Sequence, residues 1–359
     1  MAGTGYELIR SPQSKQPSLP RRFSDIGCHL IGPDYLVEEE TLPFYEHDQY
    51  YPVRIGEVFK SRYQVVGKLG YGAYSTRTQN AALKVFTQLR KFPLKRRREL
   101  VVYEHLRKIR SSPMHLSILD MLESHSEPFN APLLRLMLKH LLAALDFLHT
   151  EAGVVHTDLK AGNLMLIIAD NSMLEDFEKA ELENPSPRKI IDETRTIYTS
   201  RSFGKPKNGR WGYPVLCDFG LELGECNRQI QLHVSRAPEV TFEMPWGPPV
   251  DIWNLATLAM FRFAEGNYDP FKDMAQITGF LRLTPKEFML RSETTSQCFD
   301  VDGRWKAEEH ARIPTTSLEE VETRLEGRDK DLFLQFIRSM LNGFPRSERL
   351  RGSSWTIPG

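Results

Sequence analysis

The sequence predicts an α+β chain of two lobes, a small one built from short strands and a larger, mainly helical one. Three observations carry this. Strand-like alternation in Tyr63-Gln-Val-Val-Gly-Lys-Leu69 runs straight into Gly70-Tyr-Gly72. Two short strand patterns enclose the loop His156-Thr-Asp-Leu-Lys-Ala-Gly-Asn163, and a third leads into Asp218-Phe-Gly220. An apolar-faced helical pattern covers 132–149, and helical spacing dominates 250–342.

Residues 1–50 carry Pro, Ser and mixed charge with little periodicity, which predicts a mostly disordered extension, with any order confined to its end. The small lobe is expected over 51–131. Within it, Ala81-Ala-Leu-Lys84-Val-Phe86 reads as a strand. Leu100, Val101 or Val102, Leu106 and Ile109 recur at helical spacing and predict an amphipathic helix over 97–109. Ser117 to Leu122 reads as a short strand. The larger lobe is expected over 132–350. Its first helix presents Leu133, Leu134, Leu136, Met137, Leu141, Leu142, Leu145 and Leu148 as a broad apolar face, and Pro132 suits the first turn. Residues 170–212 are polar and rich in Ser, Pro, Lys and Arg, so they read as an insertion, and 351–359 form a tail.

Bulk composition excludes several classes. The 359 residues hold 47 Lys+Arg against 47 Asp+Glu, so no global field points to nucleic acid or an anionic membrane. The basic run Lys95-Arg-Arg-Arg98 reads as a solvated face at a helix start rather than an import or nucleic-acid patch. Cys28, Cys217, Cys226 and Cys298 are scattered without paired spacing. That argues against a disulfide framework or zinc site and predicts a reducing, cytoplasmic and/or nuclear setting. No apolar stretch suffices to cross a bilayer, so no membrane contact is expected, and the chain is expected to be a monomer.

The chemistry concentrates in the loops. Gly70 and Gly72 follow a strand, where glycine lets backbone amides approach phosphates; Ser75 holds the place of a usual third glycine. Lys84 matches the strand lysine that pairs nucleotide phosphates and a helix glutamate, for which Glu99 is the first candidate and Glu104 the alternative. Asp158 is placed to accept a hydroxyl proton, and Lys160 to neutralise charge on the transferring group. Asn163 and Asp218 are hard-oxygen ligands suited to Mg2+ bridging the phosphates of ATP. With Ala237-Pro-Glu239 downstream, these motifs stand in the order of a bilobal protein-kinase-like fold. His156 is expected to support the loop by hydrogen bonding, and Asp251 to cap its backbone. Glu239 is expected to pair with Arg346 or Arg349.

The chain is similar to the fungal SR-protein kinases, which phosphorylate serines in Arg-Ser-rich splicing factors. Tyr51-Pro-Val-Arg-Ile-Gly56, Phe59, Arg62-Tyr63, Gly72-Ala-Tyr-Ser75-Thr76 and Thr157 carry the resemblance. So do Ser235-Arg236-Ala-Pro-Glu239, Asp251-Ile-Trp-Asn254, Ser317-Leu-Glu-Glu320 and Asp331-Leu-Phe-Leu334. It covers roughly 50–350 and implies ATP and Mg2+ as cofactors and Arg-Ser-rich proteins as substrates, without direct nucleic-acid contact. Thr157 stands where switched kinases carry an Arg that binds an activating phosphate. Between Asp218 and Glu239 the single hydroxyl side chain is Ser235, so no phosphate switch is expected there.

Two stretches are short for this fold. Ala73 to Leu83 cannot hold the rest of a glycine loop, a strand, a turn and most of a second strand. After Ser117–Leu122, Glu123 to Asn130 leads directly into the long helix, with no second apolar run for the adenine-side strand. A kinase-like binding module without turnover is therefore the alternative expectation, ahead of a small-molecule kinase.

Overall fold

Helix α1 (Ala131–Thr150) shows how sequence becomes core. Met137, Leu138, Leu141, Leu142, Leu145 and Leu148 are buried, as an advance of about 100° per residue places them on one side. Leu136 was expected on that face but is 43% exposed, because the same rotation carries it to the opposite side. The computed structural model describes residues 20–24, 27–42, 45–47, 50–59, 63–70, 101–102, 105–106, 117–118, 131–166, 168, 170–207, 212, 214–219, 222–223, 230–231, 235–260, 269–281 and 292–341.

The strands, in chain order, are β1 (Val58–Phe59), β2 (Tyr63–Gln64), β3 (Ser117–Ile118), β4 (Val154–Val155), β5 (Leu164–Leu166), β6 (Arg188–Ile190), β7 (Thr196–Tyr198), β8 (Pro214–Leu216) and β9 (Glu222–Leu223). After α1 come α2 (Ser172–Glu183), α3 (Pro238–Thr241), α4 (Pro249–Met260), α5 (Pro270–Leu281), α6 (Leu318–Val321) and α7 (Gly327–Leu341). They fall into two compact units. One joins residues 1–89 to 170–208, and the other joins 90–169 to 209–359.

In the larger unit, β3, β5 and β8 form an antiparallel sheet, with Ser117 opposite Leu166 and Leu164 opposite Leu216. Strands β4 and β9 pair separately, Val154 facing Leu223. Beneath them α1, α4 and α7 share one apolar core that includes Leu145, Leu164, Leu255 and Ile337. Helix α4 is buried along most of its length, and the amphipathic α7 closes over it with Leu334, Ile337, Met340 and Leu341. The expected helix near 97–109 is represented by helical residues 101–102 and 105–106. Val102 enters the core, and His105 donates through Nε2 to the Ala152 carbonyl at 2.8 Å.

The smaller unit differs from the sequence reading. The 170–212 stretch reads as an insertion in the larger lobe, yet 170–208 group with the N-terminal segment. Its helix α2 and the β6–β7 hairpin are organised around Glu181. This buried carboxylate accepts from Ser186 N at 2.9 Å and Arg201 Nε at 3.0 Å, with Arg188 beside it. Asp192 closes the hairpin by accepting from Thr194 Oγ1 at 2.6 Å, Thr194 N at 2.7 Å and Arg195 N at 2.9 Å, contacts that lower its pKa.

The segment around 29–41, toward the end of the extension, follows a defined path along this hairpin. Ile31 N–H donates to Arg188 O at 2.9 Å, and Arg188 N–H to His29 O at 3.0 Å. A 3-10 turn at Glu38–Thr41 then supplies acids to Lys68 and Lys189. Its path is not legible in the sequence, because none of these partners is local. Gly67 passes Phe177 so closely that an added Cβ would lie 2.9 Å from the ring. Gly67→Ala is therefore expected to destabilise the protein by about 1–3 kcal/mol, read as a lowered midpoint in chemical denaturation.

Candidate active site

The loop between β4 and β5 is held from beneath by one carboxylate. Asp251, in the first turn of α4, is 0% exposed. It accepts from the backbone N–H of His156 at 2.7 Å and of Thr157 at 2.8 Å. It also accepts from His149 Nε2, in the last turn of α1, at 2.8 Å. Thr157 adopts φ 68°, a left-handed conformation unusual for a β-branched residue. The two Asp251 bonds at this turn hold it there.

His156 is the second support. It is fully buried, and burial holds its pKa below the ordinary imidazole value despite the nearby carboxylates of Asp251, Asp158 and Asp218. Its neighbours agree with a neutral ring. The Cys217 carbonyl can only accept, so Nε2 donates to it at 3.0 Å. The Asp158 N–H can only donate, so Nδ1 accepts from it at 3.3 Å. Phe219 lies against the imidazole with ring centroids 5.1 Å apart.

This support presents three of the residues picked out by sequence side by side. Lys160 Nζ donates to Asp158 Oδ2 at 2.8 Å. Asn163 Nδ2 donates to the same Oδ2 at 2.9 Å and to the Asp158 carbonyl at 2.7 Å. Asn163 is itself 0% exposed, so its amide is fixed. Asp158 keeps part of its side chain in solvent, and its Oδ1 has no hydrogen-bond partner among the described residues. One carboxylate oxygen is thus anchored and the other available.

Asp218 follows β8. Cys217 N–H donates to Asn163 O at 2.8 Å, tying the Asp218 turn to the Asp158 loop, and Asp218 takes φ 57°, which Asp tolerates. Among the described residues no group of three or more His, Cys, Asp or Glu could hold a metal ion. The donor set still fits Mg2+, which commonly takes one or two protein oxygens and fills the rest with phosphates and water. Asn163 spends its N–H groups on Asp158, so its amide oxygen is the atom of the right kind.

Gly70 ends a described stretch in the smaller unit. Gly72, Ser75, Lys84, Glu99 and Glu104 lie outside the described residues, as do Lys95–Arg98, the shortened stretches at 73–83 and 123–130, and the tail at 351–359. Glu239 is buried in α3, and both arginines proposed for it, Arg346 and Arg349, are likewise outside. Sequence reasoning missed His149 and Gln231. Gln231, at φ 67°, accepts from Ala237 N–H at 2.8 Å and donates to Val250 O at 2.8 Å, fastening the segment before α3 to α4. His149 had one usable signal, its place in the turn just before the loop. Gln231 had none.

A bilobal chain with this loop is a protein kinase by fold. It superposes on a solved kinase domain with a TM-score of 0.57 at 17% identity, covering 86% of this chain and 99% of that one. No family model matches the chain. It is 32% identical over 393 residues to a serine/threonine protein kinase of Aspergillus fumigatus, covering 95% of each. It is 25% identical to the serine/threonine-protein kinase SRPK of Physarum polycephalum, covering 75% of this chain and 78% of that one. SRSF protein kinase 3 of Mus musculus matches 39% of this chain at 27% identity. The chain belongs to the serine/threonine protein kinases. Among the described residues no helix is long and apolar enough to cross a membrane.

Proposed function

We propose that the chain transfers the ATP γ-phosphoryl group, with Mg2+, to serines of Arg-Ser-rich proteins in the cytoplasm and/or nucleus. The observation that carries the reading is the split role of Asp158. Lys160 and Asn163 converge on Oδ2 and orient the carboxylate, while Oδ1, which meets no hydrogen-bond partner among the described residues, is the atom to receive the serine hydroxyl proton. When bound, Mg-ATP supplies the reactive phosphoryl group with its oxygens neutralised. Lys160 stands beside Asp158 as a cation for the charge that develops on transfer, and Asn163 and Asp218 are the residues that would hold the metal. The SR-kinase relatives support the substrate class.

The deciding assay compares transfer from Mg-ATP to an Arg-Ser repeat peptide with transfer to the same peptide carrying Ala for Arg. Preference for the Arg-Ser peptide is expected. Equal transfer to both would remove the substrate assignment and leave a kinase of other specificity.

A specific observation favours a second reading, a kinase-like module that binds partners without turnover. The alignment to the Aspergillus kinase spans 393 positions, more than the 359 residues of this chain, so that relative holds residues this chain lacks. Magnesium-dependent thermal stabilisation by ATP separates the two, since a module without a nucleotide pocket shows none.

A further inference from the structure

The stretch that leads from β2 to Gly70 is gripped by the 170–208 segment through both backbone and side chain. Arg201 N–H donates to Lys68 O at 2.8 Å. Lys68 Nζ donates to the Tyr198 carbonyl at 2.9 Å, pairs with Glu38 at 2.8 Å, and pairs with Glu39. Glu38 also accepts from Ser200 Oγ at 2.7 Å, so one acidic turn binds both this stretch and the segment that clasps it. From the α2 side, Phe177 meets Gly67. All of these contacts lie within one compact unit. They converge on residues 67 and 68, just before Gly70.

Elsewhere a strand entering a glycine-rich phosphate loop is steadied by its partner in the following hairpin. The sequence between Gly72 and Lys84 is too short for a full partner. Lys68 meets two carboxylates and a carbonyl in a largely desolvated position, where charge-assisted bonds are strong and directional. We infer that the 170–208 segment is the frame that positions the glycine-loop approach for nucleotide, with Lys68 as the positioning residue anchored by Glu38 and Glu39. This rests on the ATP-dependent transfer reading above.

The test uses the full chain as Lys68→Met and Lys68→Arg. Steady-state kinetics with ATP and an Arg-Ser repeat peptide are measured alongside backbone hydrogen exchange over 63–70. Lys68→Met is expected to raise the ATP KM about tenfold, keep kcat within about twofold, leave the peptide KM unchanged and speed exchange. Lys68→Arg is expected to restore all of these. Should Lys68→Met not fold, Glu39→Gln carries the same prediction at smaller size. An unchanged ATP KM in a folded variant overturns the inference whatever the exchange shows, as does a parallel loss in kcat and peptide KM. If the unmodified chain transfers no phosphate, the transfer reading fails by itself and exchange decides. Faster exchange in Lys68→Met, reversed in Lys68→Arg, upholds the frame, and unchanged exchange overturns it.

Discussion

Asp158→Asn is expected to lower phosphoryl transfer by about 10²–10⁴-fold while leaving the melting temperature close to that of the unmodified chain. The substitution keeps the shape of the side chain and an oxygen that Lys160 and Asn163 can still address. What it removes is the basicity of the outer oxygen. A kcat series with an Arg-Ser peptide, run beside a thermal melt, checks both halves. Retained transfer would mean that the proton leaves by another route and that Asp158 has been given the wrong role.

Asp251→Ala should have the largest effect on stability. It would strand three buried donors at once, the N–H groups of His156 and Thr157 and the Nε2–H of His149. Each unsatisfied buried donor costs about 1–3 kcal/mol. A loss on the order of 3–5 kcal/mol is a large share of the roughly 5–15 kcal/mol that holds a typical domain. The left-handed turn at Thr157 would also lose its restraint, so whatever remains folded should present Asp158 poorly. Equilibrium denaturation measures the first effect. A change below about 1 kcal/mol would show that water replaces the carboxylate easily, contrary to its complete burial.

Much of the larger unit could be read in the sequence because its signals are local. The leucine spacing of α1 sits within twenty residues, and β5 and β8 are short apolar runs bounded by polar loops. Asp158, Lys160 and Asn163 fall within a single loop, so their proximity follows from the chain itself. In the smaller unit the alternation from Tyr63 marked β2, but the contacts that organise the unit gave no local signal. Glu38, Glu39 and Glu40 look like any solvated acidic run until Lys68 and Lys189, distant in sequence, are brought against them. Glu181 likewise reads as one more exposed helix acid and proves to be a buried hub for Ser186, Arg188 and Arg201. His149 acquires its role by meeting Asp251, which lies 102 positions away.

The sequence by itself determined the chemical inventory: a candidate base, a candidate neutralising lysine, two candidate oxygen ligands for magnesium and the strands that bracket them. Residue type and short spacing are enough for that, since they set which atoms can donate, accept or coordinate. The tertiary structure alone decided how those atoms are used. It fixed one oxygen of Asp158 and left the other without a partner among the described residues, lowered the pKa of His156 by burying it, and turned an acidic run and a polar insertion into a clasp on the approach to Gly70. These properties depend on distance and on exclusion of water, and both are set by segments that meet only after the chain has closed on itself.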